Sequence, residues 1–254
     1  MFSWDTVWQN LFSGLFINAA LTTLWLSVVA QLAGVIIGLF LALMRMSKFP
    51  LLTWPARFYI WLFRGSPLLV QILILFDGLP QISQDLTPFL TPYVCVLIAL
   101  SLNEGAYMAE IVRAGITSVE AGQMEAAKSL GMRYSLAMRR IVLPQAARVV
   151  VPPLGNEFNN MLKTTSLASI IGVLELTGTA KVYGSQNFTI FELLIVATFY
   201  YLFLTTVWGY IQNWIENRLD PNRIIRDELI EKKGWTQRVV GFGSGNGGTL
   251  VSKH

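Results

Sequence analysis

The sequence holds a single cysteine, Cys95, and a single histidine, His254, at its last position. One cysteine forms no disulfide within the chain, and without a His/Cys cluster there is no constellation for zinc, haem or a Cys–His nucleophile. Charge is scarce too: Lys, Arg, Asp and Glu make up 13 % of 254 residues, against 54 % hydrophobic. With a mean hydropathy of +0.52, the chain leaves the soluble class and reads as a membrane protein. No GxxxxGK[ST] occurs, so the chain supplies no standard P-loop itself. One GxGxxG match, Gly243 to Gly248, has no strand pattern before it and no helix pattern after it in the sequence, so a dinucleotide reading is not expected. HExxH and GxSxG are missing near the apolar segments, which leaves an intramembrane enzyme the weakest reading.

What is present is a series of long apolar runs. From Leu15 to Met44 there is no charged residue, well beyond the roughly 20 residues that a spanning helix needs. No Lys or Arg precedes Arg45, so the basic start of a cleaved signal peptide is missing and the N-terminus is expected to be retained. The apolar pattern predicts an all-α membrane protein with five transmembrane helices, at about 15–44, 58–76, 86–112, 149–174 and 192–215. Residues 1–14 are then an extracytoplasmic segment, 113–148 a cytoplasmic loop, and 216–254 a cytoplasmic tail expected to be disordered from about 234. With the N-terminus outside, segments 45–57, 113–148 and the tail after Ile215 hold 3, 6 and 7 of the 19 Lys and Arg residues. The positive-inside rule therefore gives N-out, C-in. The net charge of +4 is sorted by membrane side rather than gathered on one face, which argues against nucleic acid as a partner.

The loop 113–148 contains EAAKSLGMRYSLAMRRIVLP, Glu125 to Pro144. Glu125, Ala126 and Ala127 begin a segment of good helix formers, and Gly131 is the natural residue to end it through positive φ. Ser135 is expected to cap a second segment mixing Leu136, Met138, Ile141, Val142 and Leu143 with Arg139 and Arg140, until Pro144 ends it or opens the next helix. An amphipathic linker in the lipid interface would have the same composition.

The spacing of Glu-Ala-Ala, Gly131, Ile141, Leu143 and Pro144 resembles the EAA loop of permease subunits of bacterial type I ABC importers. FRGSPLLVQ (Phe63 to Gln71), NEGAYMAEIVRAGI (Asn103 to Ile116) and LKTTSLASIIG (Leu162 to Gly172) are similar to the polar amino-acid branch of that family. Ser66 stands where Thr is usual, and Thr164 where an acidic or amide residue is usual, a departure that bears on substrate choice. The resemblance implies import across the bacterial inner membrane by alternating access, with Glu125 to Pro144 as a coupling helix. It also implies a separate ATPase subunit, a second permease subunit (identical or paralogous), an extracytoplasmic solute-binding protein and a polar amino-acid substrate. The chain itself would be neither an enzyme nor a cofactor holder.

A charge on a lipid-facing helix costs roughly 2.5–3.5 kcal/mol, so charges inside spans face protein or water. At about 100° per residue, Asn156, Glu157, Asn160, Lys163 and Thr164 share one face of the fourth span, and Asn103, Glu104, Tyr107 and Glu110 share one of the third. Two polar faces suggest a shared aqueous cavity that meets the ammonium and carboxylate of an amino acid. A structural network, Glu157 with Lys163 or Asn with Glu, is the competing reading, and Glu110 has Arg113 within reach at i+3. Arg64 is expected to anchor the inner interface or to serve a gate, and Gly65 and Pro67 to break the helix as a hinge. An ion-gradient-driven secondary amino-acid transporter is the alternative function, though five unequal spans show no inverted repeat in its support.

Overall fold

The computed structural model describes residues 2–219, which are helical or in turns, with no strand among them. Ser3 starts α1 (Trp4–Leu11), its hydroxyl accepting the Thr6 N–H, and Ser13 caps α2 (Gly14–Met46) in the same way. α3 (Pro50–Gly65) stops at Ser66 and Pro67, and α4 (Leu68–Leu73) sets off beyond them. A wide turn at Ile74–Gly78, the short α5 (Leu79–Ile82) and a 3-10 stretch at Gln84–Phe89 lead to α6 (Pro92–Thr117), capped by Thr91. α7 (Ala121–Ser129) and α8 (Tyr134–Ala137) follow, and α8 runs through a wide turn at Met138–Val142 into α9 (Leu143–Thr164). A 3-10 run at Thr165–Ile171 ends at left-handed Gly172, before α10 (Leu176–Asn187) and α11 (Ile190–Leu219).

Three of these helices, α2, α6 and α11, are long and apolar enough to cross a bilayer, and α3 with Leu68–Ile82 forms a pair bent by 103°. The break expected at Gly65 and Pro67 within the span 58–76 is present, and the helix before it starts earlier than expected, at Pro50. Pro67 has no N–H to continue the ladder and drives Ser66 out of helical φ/ψ, to an extended ψ of 144°. The third helix begins at Pro92 rather than near Leu86, because Pro88 and Pro92 close off the 3-10 stretch. The fourth begins at Leu143 and tightens to 3-10 at Thr165, short of the expected 174. Two helices went unforeseen, α1 within residues 1–14 and α10 between the last two expected spans. α11 also extends to Leu219, into residues expected to form the tail.

The chain divides into two units, Met1–Gln212 and Asn213–His254. In the second the described residues finish α11, where the Arg218 guanidinium lies 4.3 Å above the Trp214 ring. The disorder expected from about 234 lies outside the described residues.

Within the first unit, α2 and α6 pack closely because small residues let their backbones approach. A Cβ on Gly34 would stand 2.5 Å from the Glu104 Cγ, and one on Gly38 would collide with Met108 and Ala109. One apolar core joins Leu26 and Ala30 of α2 to Ile72, Val96, Leu100, Met161 and Ile171. Another joins Val7 and Phe16 to Leu176, Leu193 and Val196, so α1 and α10 fix the far end of α2. The outward faces are apolar as well: Leu32, Phe40, Leu202 and Phe203 are all exposed, as helices immersed in lipid require.

Candidate functional site

Where α3 breaks, the chain opens a cavity of about 810 Å³ against α6 and α9. Arg64, Gly65 and Pro67 come from the break, Asn103, Glu104 and Tyr107 from α6, and Glu157, Asn160, Lys163 and Thr164 from α9. Helical periodicity explains the convergence, since each helix turns one polar face toward the other.

The break is held open by a residue to which the sequence reading assigned no role. Gln71 is buried, and its Nε2 donates to the Phe63 carbonyl at 3.0 Å, the Ser66 carbonyl at 3.1 Å and the Ser66 hydroxyl at 2.9 Å. Asn103 Nδ2 also donates to the Phe63 carbonyl (2.9 Å) and to Gln71 Oε1 (3.2 Å). Carbonyls left over where a proline interrupts a helix are thus satisfied by amides, the condition for broken helices at membrane depth. A lone Gln inside the apolar run Leu68 to Phe76 was the available signal.

Partnering divides the cavity residues into two groups. Glu104 is buried and accepts from Gln31 Nε2 at 3.1 Å, and Thr164 donates back to the Asn160 carbonyl at 2.8 Å. By contrast the side chains of Glu157, Asn160 and Lys163 make no hydrogen bond or ion pair with any described residue, so the Glu157–Lys163 pair considered from sequence does not form. Two predicted residues lie elsewhere. Asn156 accepts from Gln212 Nε2 at 3.2 Å, tying α9 to α11 instead of lining the cavity. Glu110 holds Arg113 at 3.1 Å, as its i+3 spacing predicted, together with Arg45 and, at 3.6 Å, Arg64. Arg64 also stacks over the Tyr107 ring, its guanidinium 5.1 Å from the ring centroid.

At Glu125 to Pro144 the chain builds a helix, a turn and a second helix. Gly131 adopts φ +76°; its N–H bonds the Lys128 carbonyl at 2.9 Å, and the Met132 N–H bonds the Ala127 carbonyl at 3.0 Å. Glu125 lies inside α7, which begins earlier than expected, at Ala121. Ser135 is not the cap of the second helix, because Arg133 takes the N-cap position without a side-chain bond. Pro144 stands in the first turn of α9, the second of its two expected roles, and the wide turn at Met138–Val142 leads into that helix without a gap. Ala127 is buried against the protein and Ile141 half-buried, while Leu130, Tyr134, Leu136 and Leu143 are exposed, Leu130 at 82 %.

The sequence and the fold are similar to those of known proteins. The family described as binding-protein-dependent transport system inner membrane component matches residues 34–221. The chain belongs to that family, in its polar amino-acid ABC importer branch. It is 42 % identical to the arginine transport system permease protein ArgU of Corynebacterium glutamicum, over 86 % of this chain and 72 % of that one. It is also 42 % identical to the octopine transport system permease protein OccM of Rhizobium radiobacter, over 83 % of this chain and 89 % of that one. Among solved structures, an amino acid ABC transporter crystallised with histidines shares 40 % identity and a TM-score of 0.75, over 80 % of this chain and 94 % of that one. The MetNI methionine ABC transporter, at 15 % identity and a TM-score of 0.66, shares the fold over 81 % of this chain and 96 % of that one.

Proposed function

We propose that this chain is the membrane-spanning permease subunit of an ABC importer that carries a polar amino acid across a bacterial inner membrane by alternating access, and that the cavity between α3, α6 and α9 is part of the path. The observation that carries this reading is a set of unpartnered polar groups, Glu157, Asn160 and Lys163, facing a hollow of about 810 Å³. Asn160 and Lys163 are exposed and Glu157 half-buried, so a zwitterion entering the hollow finds partners of both signs. The distribution of Lys and Arg supports N-out, C-in across five spans, counting the bent α3 pair and α9 with its 3-10 extension as one each. On that orientation α7 and α8 lie in the cytoplasm and present Leu130, Tyr134 and Leu136 to a separate ATPase subunit, which binds ATP and Mg and whose closure moves α9 as a lever. A second permease subunit completes the path, and an extracytoplasmic solute-binding protein delivers the substrate.

The test is ATP-dependent uptake of labelled cationic and neutral amino acids by the assembly in proteoliposomes. Asn160→Ala and Glu157→Ala should each lower uptake about tenfold or more, the weight of one or two hydrogen bonds to charged groups. Wild-type uptake of both substrate classes by the Glu157→Ala variant would remove Glu157 from the path.

A further inference from the structure

Beside the transport cavity lies a second hollow of about 460 Å³. Its wall brings together Arg45 at the end of α2, Arg57, Trp61 and Arg64 on α3, and Tyr107 and Glu110 on α6. Glu110 is already neutralised twice, by Arg45 on Oε1 and by Arg113 on Oε2. Arg64 stands further off at 3.6 Å, and Arg57 pairs with no described residue. Three guanidinium groups therefore share one carboxylate while Arg57 has none, and Arg45, Arg57 and Arg64 set three positive charges against that one carboxylate in the wall of the hollow.

The surroundings say where an anion would come from. On the same helix Leu51, Trp54, Phe58 and Trp61 are 85 %, 73 %, 60 % and 68 % exposed, a stripe at helical spacing that flanks Arg57. Exposed tryptophans beside arginine on a membrane helix mark the headgroup level of a bilayer. Guanidinium groups match phosphate oxygens in paired hydrogen bonds. We propose that this hollow binds the phosphate of an anionic phospholipid, its acyl chains lying along the aromatic stripe of α3. The inference needs the membrane setting alone and holds whether or not the neighbouring cavity is the transport path.

The full chain, purified and delipidated in mild detergent, is titrated with phosphatidylglycerol and separately with phosphatidylcholine, and bound lipid is counted by native mass spectrometry. Wild type should retain phosphatidylglycerol in preference to phosphatidylcholine. Arg57→Gln should weaken that binding about fivefold, the worth of one basic residue at an anionic surface. Arg57→Lys should keep most of it, and Arg148→Gln, which removes the same charge from an exposed site on α9, should leave it unchanged. Equal retention of the two lipids by wild type would overturn the proposal without reference to any variant. Equal losses in Arg57→Gln and Arg148→Gln would overturn it in favour of diffuse attraction, and displacement by excess inorganic phosphate would overturn it in favour of a free-anion site.

Discussion

Replacing Gly131 with valine isolates the contribution of one backbone angle to energy coupling. At φ +76° a residue with a Cβ carries about 1–2 kcal/mol of strain, and a β-branched one is the worst placed to bear it. No heavy atom of the surroundings lies within 4 Å of where that Cβ would sit, so the penalty is conformational and not a clash. The chain has two responses. It can keep the turn and bear the strain, or relax it and lose the bonds from Gly131 N–H to Lys128 and from Met132 N–H to Ala127, each worth about 0.5–1.5 kcal/mol. The first route costs about 1–2 kcal/mol and the second about 1–3 kcal/mol; at the cost of the first, the population of the native turn falls roughly 5- to 30-fold. Leu130 and Tyr134, on either side of the turn, would then be mispositioned for a partner while the spans stay intact. The assay compares ATP hydrolysis with amino-acid uptake in proteoliposomes holding the complete assembly. Uptake per ATP should fall in the order Gly, Asn, Ala, Val at position 131, since Asn tolerates the left-handed region best after Gly. Full uptake per ATP in the valine variant, or an asparagine variant as impaired as the valine one, would refute the reasoning.

Three further outcomes concern the scaffold. Gln71→Leu removes the donor to the Ser66 carbonyl at the helix break, while the Phe63 carbonyl keeps Asn103; an acceptor left unsatisfied costs about 1–3 kcal/mol, and a lower melting temperature in detergent should accompany lost uptake. Gly38→Val drives a side chain into Met108 and the Ala109 backbone, an overpacking cost of about 1–3 kcal/mol, and should reduce the amount of folded protein on gel filtration. Glu175→Ala removes the carboxylate that accepts the Thr177 and Gly178 N–H groups at the start of α10 and the Tyr201 hydroxyl at 2.6 Å. It should lower the melting temperature while leaving the substrate preference of transport unchanged.

The long helices were legible because α2, α6 and α11 rest on extended apolar runs that few other structures bury. The cavity was legible for a related reason: helical period alone placed Asn103, Glu104 and Tyr107 on one face and Glu157, Asn160, Lys163 and Thr164 on another. Period does not choose what a face meets, and so Asn156, within the same arc, turned out to serve Gln212. The local Glu110–Arg113 pair could be read at i+3, whereas Arg45 reaches the same carboxylate across 65 positions, through the packing of α2 on α6. α1 and α10 were missed because they are short and their caps modest, a serine at position 3 and a glutamate at 175. At Gly65 and Pro67 a break was anticipated, but its 103° depends on Gln71 and Asn103 satisfying the carbonyls, which no local pattern announces.

The central claim, that this chain works as the permease subunit of an ATP-driven importer, is tested most directly by purifying the tagged protein from its native membranes in mild detergent and identifying by mass spectrometry what stays bound. The account predicts a stoichiometric partner carrying a P-loop, lost or weakened in the Gly131→Val variant. A protein that purifies without such a partner, under conditions that keep other membrane complexes whole, would contradict it.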